Sequence, residues 1–361
     1  MKEVKIVIES GYQFNNRFTE IIKGIIAVCT ATSCSFHPLI LTEIAPAQYT
    51  KEPILVVGAS ITWVTSTVEY LLNQEYHPLV VGFEFSHSAC TFITQNHYLD
   101  ARSLSLYCLK NEIGKCAFVG YNPDSYCDRF KYSGLLSAIQ CTEHQLAAQD
   151  VYELYAGPTE CIQNFLPNAP QYKYIFCSND TVALILISML PNPAAYDIIS
   201  FGHLNMKNFC TIPFHSITPD YFNIGKVSAE IYHILSRYDI ITCSTVYIQS
   251  HFNTSNNFHI APTRPLDIST IERGPNRLPT EYTDCNTTIT DLLNIALESC
   301  DAIDIKLLRG LQQNLTYEQI AEQIFMSTNS VKRRLNKFLT KAKLKNKKQF
   351  LETAKKFHLV F

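Results

Sequence analysis

Charge is scarce in this chain. Only 17% of its 361 residues are Asp, Glu, Lys or Arg, against 47% hydrophobic. That balance excludes a wholly disordered polypeptide. Long apolar runs are missing too: none approaches the roughly 18 residues of a membrane-spanning helix, so no membrane partner is expected. The opening stretch Met1-Lys2-Glu3-Val4-Lys5-Ile6-Val7-Ile8 interleaves acid and base and lacks the shape of a signal peptide. There is no Cys-x-x-Cys pair, no Gly-x-Ser-x-Gly elbow, no phosphate loop and no cluster with metal-ligand spacing. The expectation is therefore a protein without metal or cofactor, and not an enzyme.

The cysteines number 13, an odd count, and Cys29, Cys108, Cys116 and Cys177 sit inside apolar runs. They read as buried thiols serving as small hydrophobes in a reducing cytosol. The length is enough for roughly two to three domains. The net charge of -2 hides an uneven spread. From Asp301 to Phe361 there are 13 Lys and Arg against 5 Asp and Glu; the rest of the chain has 17 against 27. A mildly acidic body carries a basic tail, and a basic tail points to a polyanion.

Along the first 260 residues short apolar runs alternate with amphipathic segments. Val4–Ile8, Ile54–Val57, Leu79–Phe83, Cys116–Val119, Tyr174–Cys177 and Ile198–Phe201 read as strands. Asn15–Cys29, Thr62–Leu72, Leu99–Asn111, Asp128–Ile139 and Thr181–Leu190 read as helices. This order predicts an α/β fold of parallel strands with crossover helices on both faces. Ligands of such sheets bind beyond the carboxyl ends of the strands.

The run from Gly114 to Tyr121, then Arg129 and Gly134, then Ile175 to Asp180 opening a helix, resembles the effector domain of the LacI/GalR regulators. Ile198 to Gly202, Ile212 to Ile217 and a helix bearing Gly225 follow in the same order. The resemblance spans roughly residues 3 to 258. It implies two Rossmann-like lobes of the periplasmic-binding-protein type I architecture, joined by three crossings, with a ligand between them. Within a sensing domain at 1–258, lobe one is expected at 3–112 and 217–240, lobe two at 113–212 and 241–258. The family's usual DNA-binding module precedes the sensor; with the first strand starting at Val4, it is not expected in that place.

By the same resemblance, the ligand contacts fall at Asn96, Lys131, Asn179 and His203; Tyr12 and Phe14, in the loop after the first strand, offer an aromatic wall for a sugar ring or part of the core. Each has a plain alternative. Asn179 and its neighbour Asp180 suit a helix N-cap. Lys131 stands where the family often has an Arg that forks to a sugar, and a lysine cannot fork; solvated surface is its other role. Asn96 and His203 replace carboxylates, the usual acceptors for sugar hydroxyls. A small polar, sugar-like effector, or a degenerate sensor used only for dimerisation or a protein partner, both fit.

Between about His259 and Thr290, Pro262, Pro265, Gly274, Pro275 and Pro279 break the pattern, and 259–290 reads as a linker. A terminal all-α module is expected over 291–361. Asp291 opens a helical lead-in. Ile303, Leu307, Leu308 and Leu311 recur at helical spacing, and Thr316-Tyr-Glu-Gln319 is a capping box. Ile320, Ala321 and Ile324 stripe a short helix, Phe325 and Met326 make a turn, and Ser327 caps the next helix. There Val331, Leu335, Phe338 and Leu339 lie on one side. Asn329, Arg333, Asn336, Lys337 and Thr340 fall opposite, flanked by Lys332 and Arg334. The final helix, about Asn346 to Phe357, follows a run of lysines suited to phosphates.

The spacing Ala321-x-x-Ile324-x-x-Ser327-x-x-Ser330-Val331-Lys332, with Leu307-Leu-Arg-Gly310 before it, is similar to the LuxR-type helix-turn-helix over residues 300 to 361. The resemblance implies that Lys332, Arg333 and Asn336 face bases, and that Ser327, Thr328, Arg334 and Lys337 lie near phosphates. Double-stranded DNA is the partner it implies. A homodimer is expected, because two half-sites sum the contacts of two such modules.

Overall fold

The computed structural model describes residues 3–9, 16–39, 47, 52–58, 60–85, 87–110, 112–202, 204–238, 243–253 and 285–361. The expected contacts Tyr12, Phe14 and His203, and the linker up to residue 284, lie outside these.

Lobe one is a parallel sheet of β1 (Glu3–Ile8), β2 (Ser35–Leu39), β3 (Glu52–Val57), β4 (Tyr76–Val81), β5 (Thr91–Gln95) and β11 (Thr245–Ile248), in the order β11-β5-β4-β3-β1-β2. Both faces are covered, which is why β3 and β4 are buried along their whole length. Alternation divides the strands. Leu55 and Val57 face α1 (Asn16–Ala31) and α7 (Tyr221–Tyr238), while Ile54 and Val56 face α2 (Ile61–Asn73). Helices α1 and α7 cross with backbone against backbone. A Cβ on Gly24 would meet the Phe222 carbonyl, and one on Gly225 the Ile21 carbonyl.

Lobe two repeats the plan. Its sheet runs β12-β10-β9-β8-β6-β7, from β6 (Cys116–Tyr121), β7 (Val151–Glu153), β8 (Tyr174–Cys177), β9 (Asp197–Ser200), β10 (His215–Thr218) and β12 (His251–Asn253). All neighbours are parallel except β10 and β12. Phe118, Tyr174 and Phe176 face α3 (His97–Cys108) and α4 (Tyr126–Ile139). Val119, Ile175 and Cys177 face α5 (Pro158–Phe165) and α6 (Asp180–Met189). The α/β class and the two-lobed architecture are those expected, but the crossings differ. Helix α3 packs on lobe two, so the first crossing falls between Gln95 and His97, not at 112. Strand β10 belongs to lobe two through Thr218, and β11, assigned to lobe two, completes lobe one. Helical spacing says that a segment covers a sheet, not which sheet.

The C-terminal part is α8 (Cys285–Glu298), α9 (Ala302–Gln312), α10 (Tyr317–Gln323), α11 (Thr328–Lys341) and α12 (Lys347–Lys356). Helix α8 begins inside the stretch read as linker. It is no mere lead-in: Leu293, Ala296 and Leu297 join a core continuous with α6 and with Leu307, Leu311, Leu335 and Phe350. The far end docks as well. Val360 N–H donates to the Phe209 carbonyl at 2.7 Å, Thr211 N–H donates to the His358 carbonyl at 2.8 Å, and Phe209 meets Phe361 at 4.9 Å between ring centroids. The terminal helices therefore ride on lobe two. Among the described residues, no helix is long and apolar enough to cross a membrane.

Candidate functional site

The strand ends of the two lobes meet across a cleft. Glu84, just after β4, is buried and its Oε1 accepts from the hydroxyls of Tyr126 at 3.1 Å and Tyr247 at 3.0 Å. Tyr126 opens α4 in lobe two, so this carboxylate ties the lobes together. The crossings are tied too: Ser250 donates to Asp100 Oδ2 at 2.6 Å, and His251 Nε2 lies 3.0 Å from Asp220 Oδ2.

The sequence-derived contacts prove to be placed by local chemistry. Asn96 N-caps α3, its Oδ1 accepting from Leu99 N–H at 2.9 Å. Asn179 N-caps α6 in the same way, accepting from Val182 N–H at 3.0 Å. Lys131 is not solvated surface. It is buried, and its Nζ reaches Asp128 Oδ1 at 3.2 Å and the Ser178 carbonyl at 2.8 Å. Lys131 and Asn179 thus meet at Ser178, whereas Asn96 stands at the first crossing.

Sequence reasoning passed over Arg17, Glu84, Tyr126, Asp128, Tyr221 and Tyr247. Arg17 lies in the first turn of α1, its guanidinium 5.4 Å from the centre of the Tyr221 ring. Room for it comes from Gly82, at φ 72°, where a Cβ would stand 3.2 Å from an Arg17 Nη. His97 is held well below its ordinary pKa, first by burial and then by the charges of Lys131 and Arg17. It is accordingly neutral, with Nδ1 2.8 Å from Gln95 Nε2. Burial pushes the Asp128 carboxyl up, and the neighbouring Lys131 opposes that shift.

Against this cleft lies a cavity of about 640 Å³. Arg17, Glu20, Tyr221 and Phe222 line it from lobe one, Pro219 and Asp220 from a crossing, and Leu204, Thr218 and His251 from lobe two. Its remaining wall is α8, through Asp291, Asn294, Ile295 and Glu298. Such a volume suits a small molecule.

In the C-terminal helices, α10 and the turn into α11 are built as the sequence implies. Thr316 Oγ1 accepts from Gln319 N–H at 3.2 Å, and Gln319 Oε1 from Thr316 N–H at 2.8 Å. Ser327 Oγ accepts from Ser330 N–H at 3.2 Å. Val331, Leu335, Phe338 and Leu339 are buried. Asn329, Lys332, Arg333, Asn336 and Lys337 are exposed on the other side, and Thr328 is half-buried. Arg334 departs from the phosphate role expected of it. Its Nη1 pairs with Asp301 at 2.9 Å and Asp304 at 2.8 Å, the two residues of the capping box of α9.

No protein-family model matches the sequence, and no curated protein matches it. Solved structures do match in shape. The transcription regulator CcpA of Lactococcus lactis superposes with a TM-score of 0.56 at 14% identity, covering 70% of this chain and 98% of that one. A LacI family transcriptional regulator from Enterococcus faecium, with bound ribose, gives 0.52 at 15% identity, over 73% and 100%. The LacI family regulator CcpA of Weissella paramesenteroides, with bound sucrose, gives 0.53 at 13% identity, over 71% and 98%. At this identity the likeness is one of fold: two parallel-sheet lobes, consistent with the periplasmic-binding-protein type I architecture.

Proposed function

We propose that the protein is a ligand-responsive transcriptional regulator that binds duplex DNA with its C-terminal helices. The single observation that carries this is the exposed basic, amide-rich face of α11, set opposite a buried apolar stripe and next to a capped short helix. Arg and Lys on such a face pair with guanine edges and phosphates, and Asn pairs with adenine. The LuxR-like spacing of α10 and α11 supports the same reading. The LacI-like fold of the lobes supports a small polar effector, and the structures with bound ribose and sucrose point to a sugar-like one. The protein works in the cytoplasm as a homodimer, one α11 for each half-site.

Fluorescence anisotropy with a labelled duplex tests it. The full chain binds random-sequence DNA at low salt, with affinity falling steeply as salt rises. Arg333→Ala weakens binding to a selected operator by about 1–3 kcal/mol and spares non-specific binding. A chain that retards no duplex at low salt removes the reading.

A second reading keeps the DNA-binding end and makes the lobes a scaffold for dimerisation or a protein partner. Asn96 and Asn179 spent on helix caps, and Lys131 spent on Asp128, favour it. Calorimetry with sugars and related metabolites decides between the two.

A further inference from the structure

Helix α8 has two working faces. Asp291, Asn294, Ile295 and Glu298, spaced one helical turn apart, line the cavity beside the cleft. Leu293, Ala296 and Leu297 point the other way, into the core shared with α6 and the terminal helices. The same helix is fastened to lobe two at the loop after β9. Asn294 Oδ1 accepts from Met206 N–H at 3.1 Å, and two residues earlier Leu204 N–H donates to Asp180 Oδ2 at 2.8 Å. Asp180 opens α6 directly after Asn179, on the cleft side of β8. Cavity, loop and terminal helices are thus joined through one helix.

We infer that α8 is a wall of the effector pocket, so that the effector touches the helix carrying the DNA-binding end and is read by direct contact, not only through the angle between the lobes. This rests on the regulator reading above. The charged groups around the cavity set the ligand's chemistry. Asp220, Asp291 and Glu298 outnumber Arg17, while Glu20 is paired with Lys23 at 2.7 Å and Asp220 also holds His251. Carboxylates accept from hydroxyls and repel anions, so the pocket takes a polyhydroxylated molecule, neutral or carrying an amine, and rejects its phosphate ester. A ligand that bridges Arg17 or Tyr221 of lobe one to Glu298 of α8 adds a link between lobe one and the terminal helices.

The test uses the full chain with ribose, cellobiose and glucosamine as probes, each at millimolar concentration, and a sugar phosphate as the counter-probe. Calorimetry is expected to show binding of at least one of the three and none of the phosphate. The neutral and amine-bearing probes identify which chemistry the carboxylates serve. Ile295→Trp fills the cavity from α8 and weakens that binding about tenfold or more. Glu298→Gln, which leaves the cavity's shape intact, weakens it as well. Amide hydrogen exchange in α8 slows when the sugar is added. Sugar binding that is equal in both variants and the parent overturns the proposal, and so does a parent that binds none of the three probes. A duplex titration on the same samples keeps the outcomes apart. DNA binding without any sugar binding sinks only the α8 wall, whereas no DNA binding sinks the regulator reading itself.

Discussion

Phe325 is 95% exposed and sits at φ 55°, in the turn that separates α10 from α11. A side chain in the left-handed region costs about 1–2 kcal/mol, and here no packing offsets it. Phe325→Gly is expected to raise stability by about 1 kcal/mol, read from the thermal midpoint. Asp100 carries a different kind of strain. Burial raises its pKa to about 7, with hydrogen bonds from Ser250 pulling down. Unfolded, an aspartate titrates near about 3.9, so between these values the fold keeps a proton that the unfolded chain has lost. The stability this group contributes is full below about pH 4 and is lost as pH rises toward about 7. Asp100→Asn removes the titration. Denaturant melts are expected to show the variant gaining on its parent from about pH 4 to 7 and holding that gain above it, by up to a few kcal/mol. At this scale the sequence was legible where a residue has one use, as at Thr316 and Gln319. It was ambiguous at Asn96 and Asn179, because capping a helix and holding a hydroxyl ask for the same amide.

Elements were easier to read than their neighbours. The apolar stripe and the basic face of α11 follow from periodicity alone, and the structure places them back to back. Helix α6 carried a signal that went unused. Val182 through Ile187 are all buried, and a helix apolar on every side needs cover on every side. Lobe two supplies one cover and α8 the other. The crossing of α1 with α7 depends on two glycines for backbone contact. Gly225→Ala drives a methyl into the Ile21 carbonyl, and a loss of about 1–3 kcal/mol is expected in chemical denaturation. Nothing in local sequence marks that need, since a glycine inside a helix looks the same whether or not another backbone lies against it.

At the scale of the whole molecule, the α/β class and the pairing of two similar lobes could be read from the order of strands and helices. The allocation of α3 and β11 to lobes could not, because it depends on where the chain passes between sheets. Docking of the terminal helices was likewise invisible, resting as it does on contacts far apart in sequence. Phe361 is one of them: it is 4% exposed, its N–H donates to Gln312 Oε1 at 3.0 Å, and its ring lies on Phe209. Phe361→Ala is expected to cost about 3 kcal/mol. It should also strip hydrogen-exchange protection from the Val360 and Thr211 amides, which pin this end to lobe two.

The three crossings also limit how the protein can be divided. Lobe one needs β11, made some 150 residues after β5, and lobe two needs β12, made after α7 has already returned to lobe one. Neither half corresponds to any uninterrupted stretch of polypeptide. A ribosome that has released residues 1–240 has still completed no sheet, and both hydrophobic interiors must wait for the same last few strands.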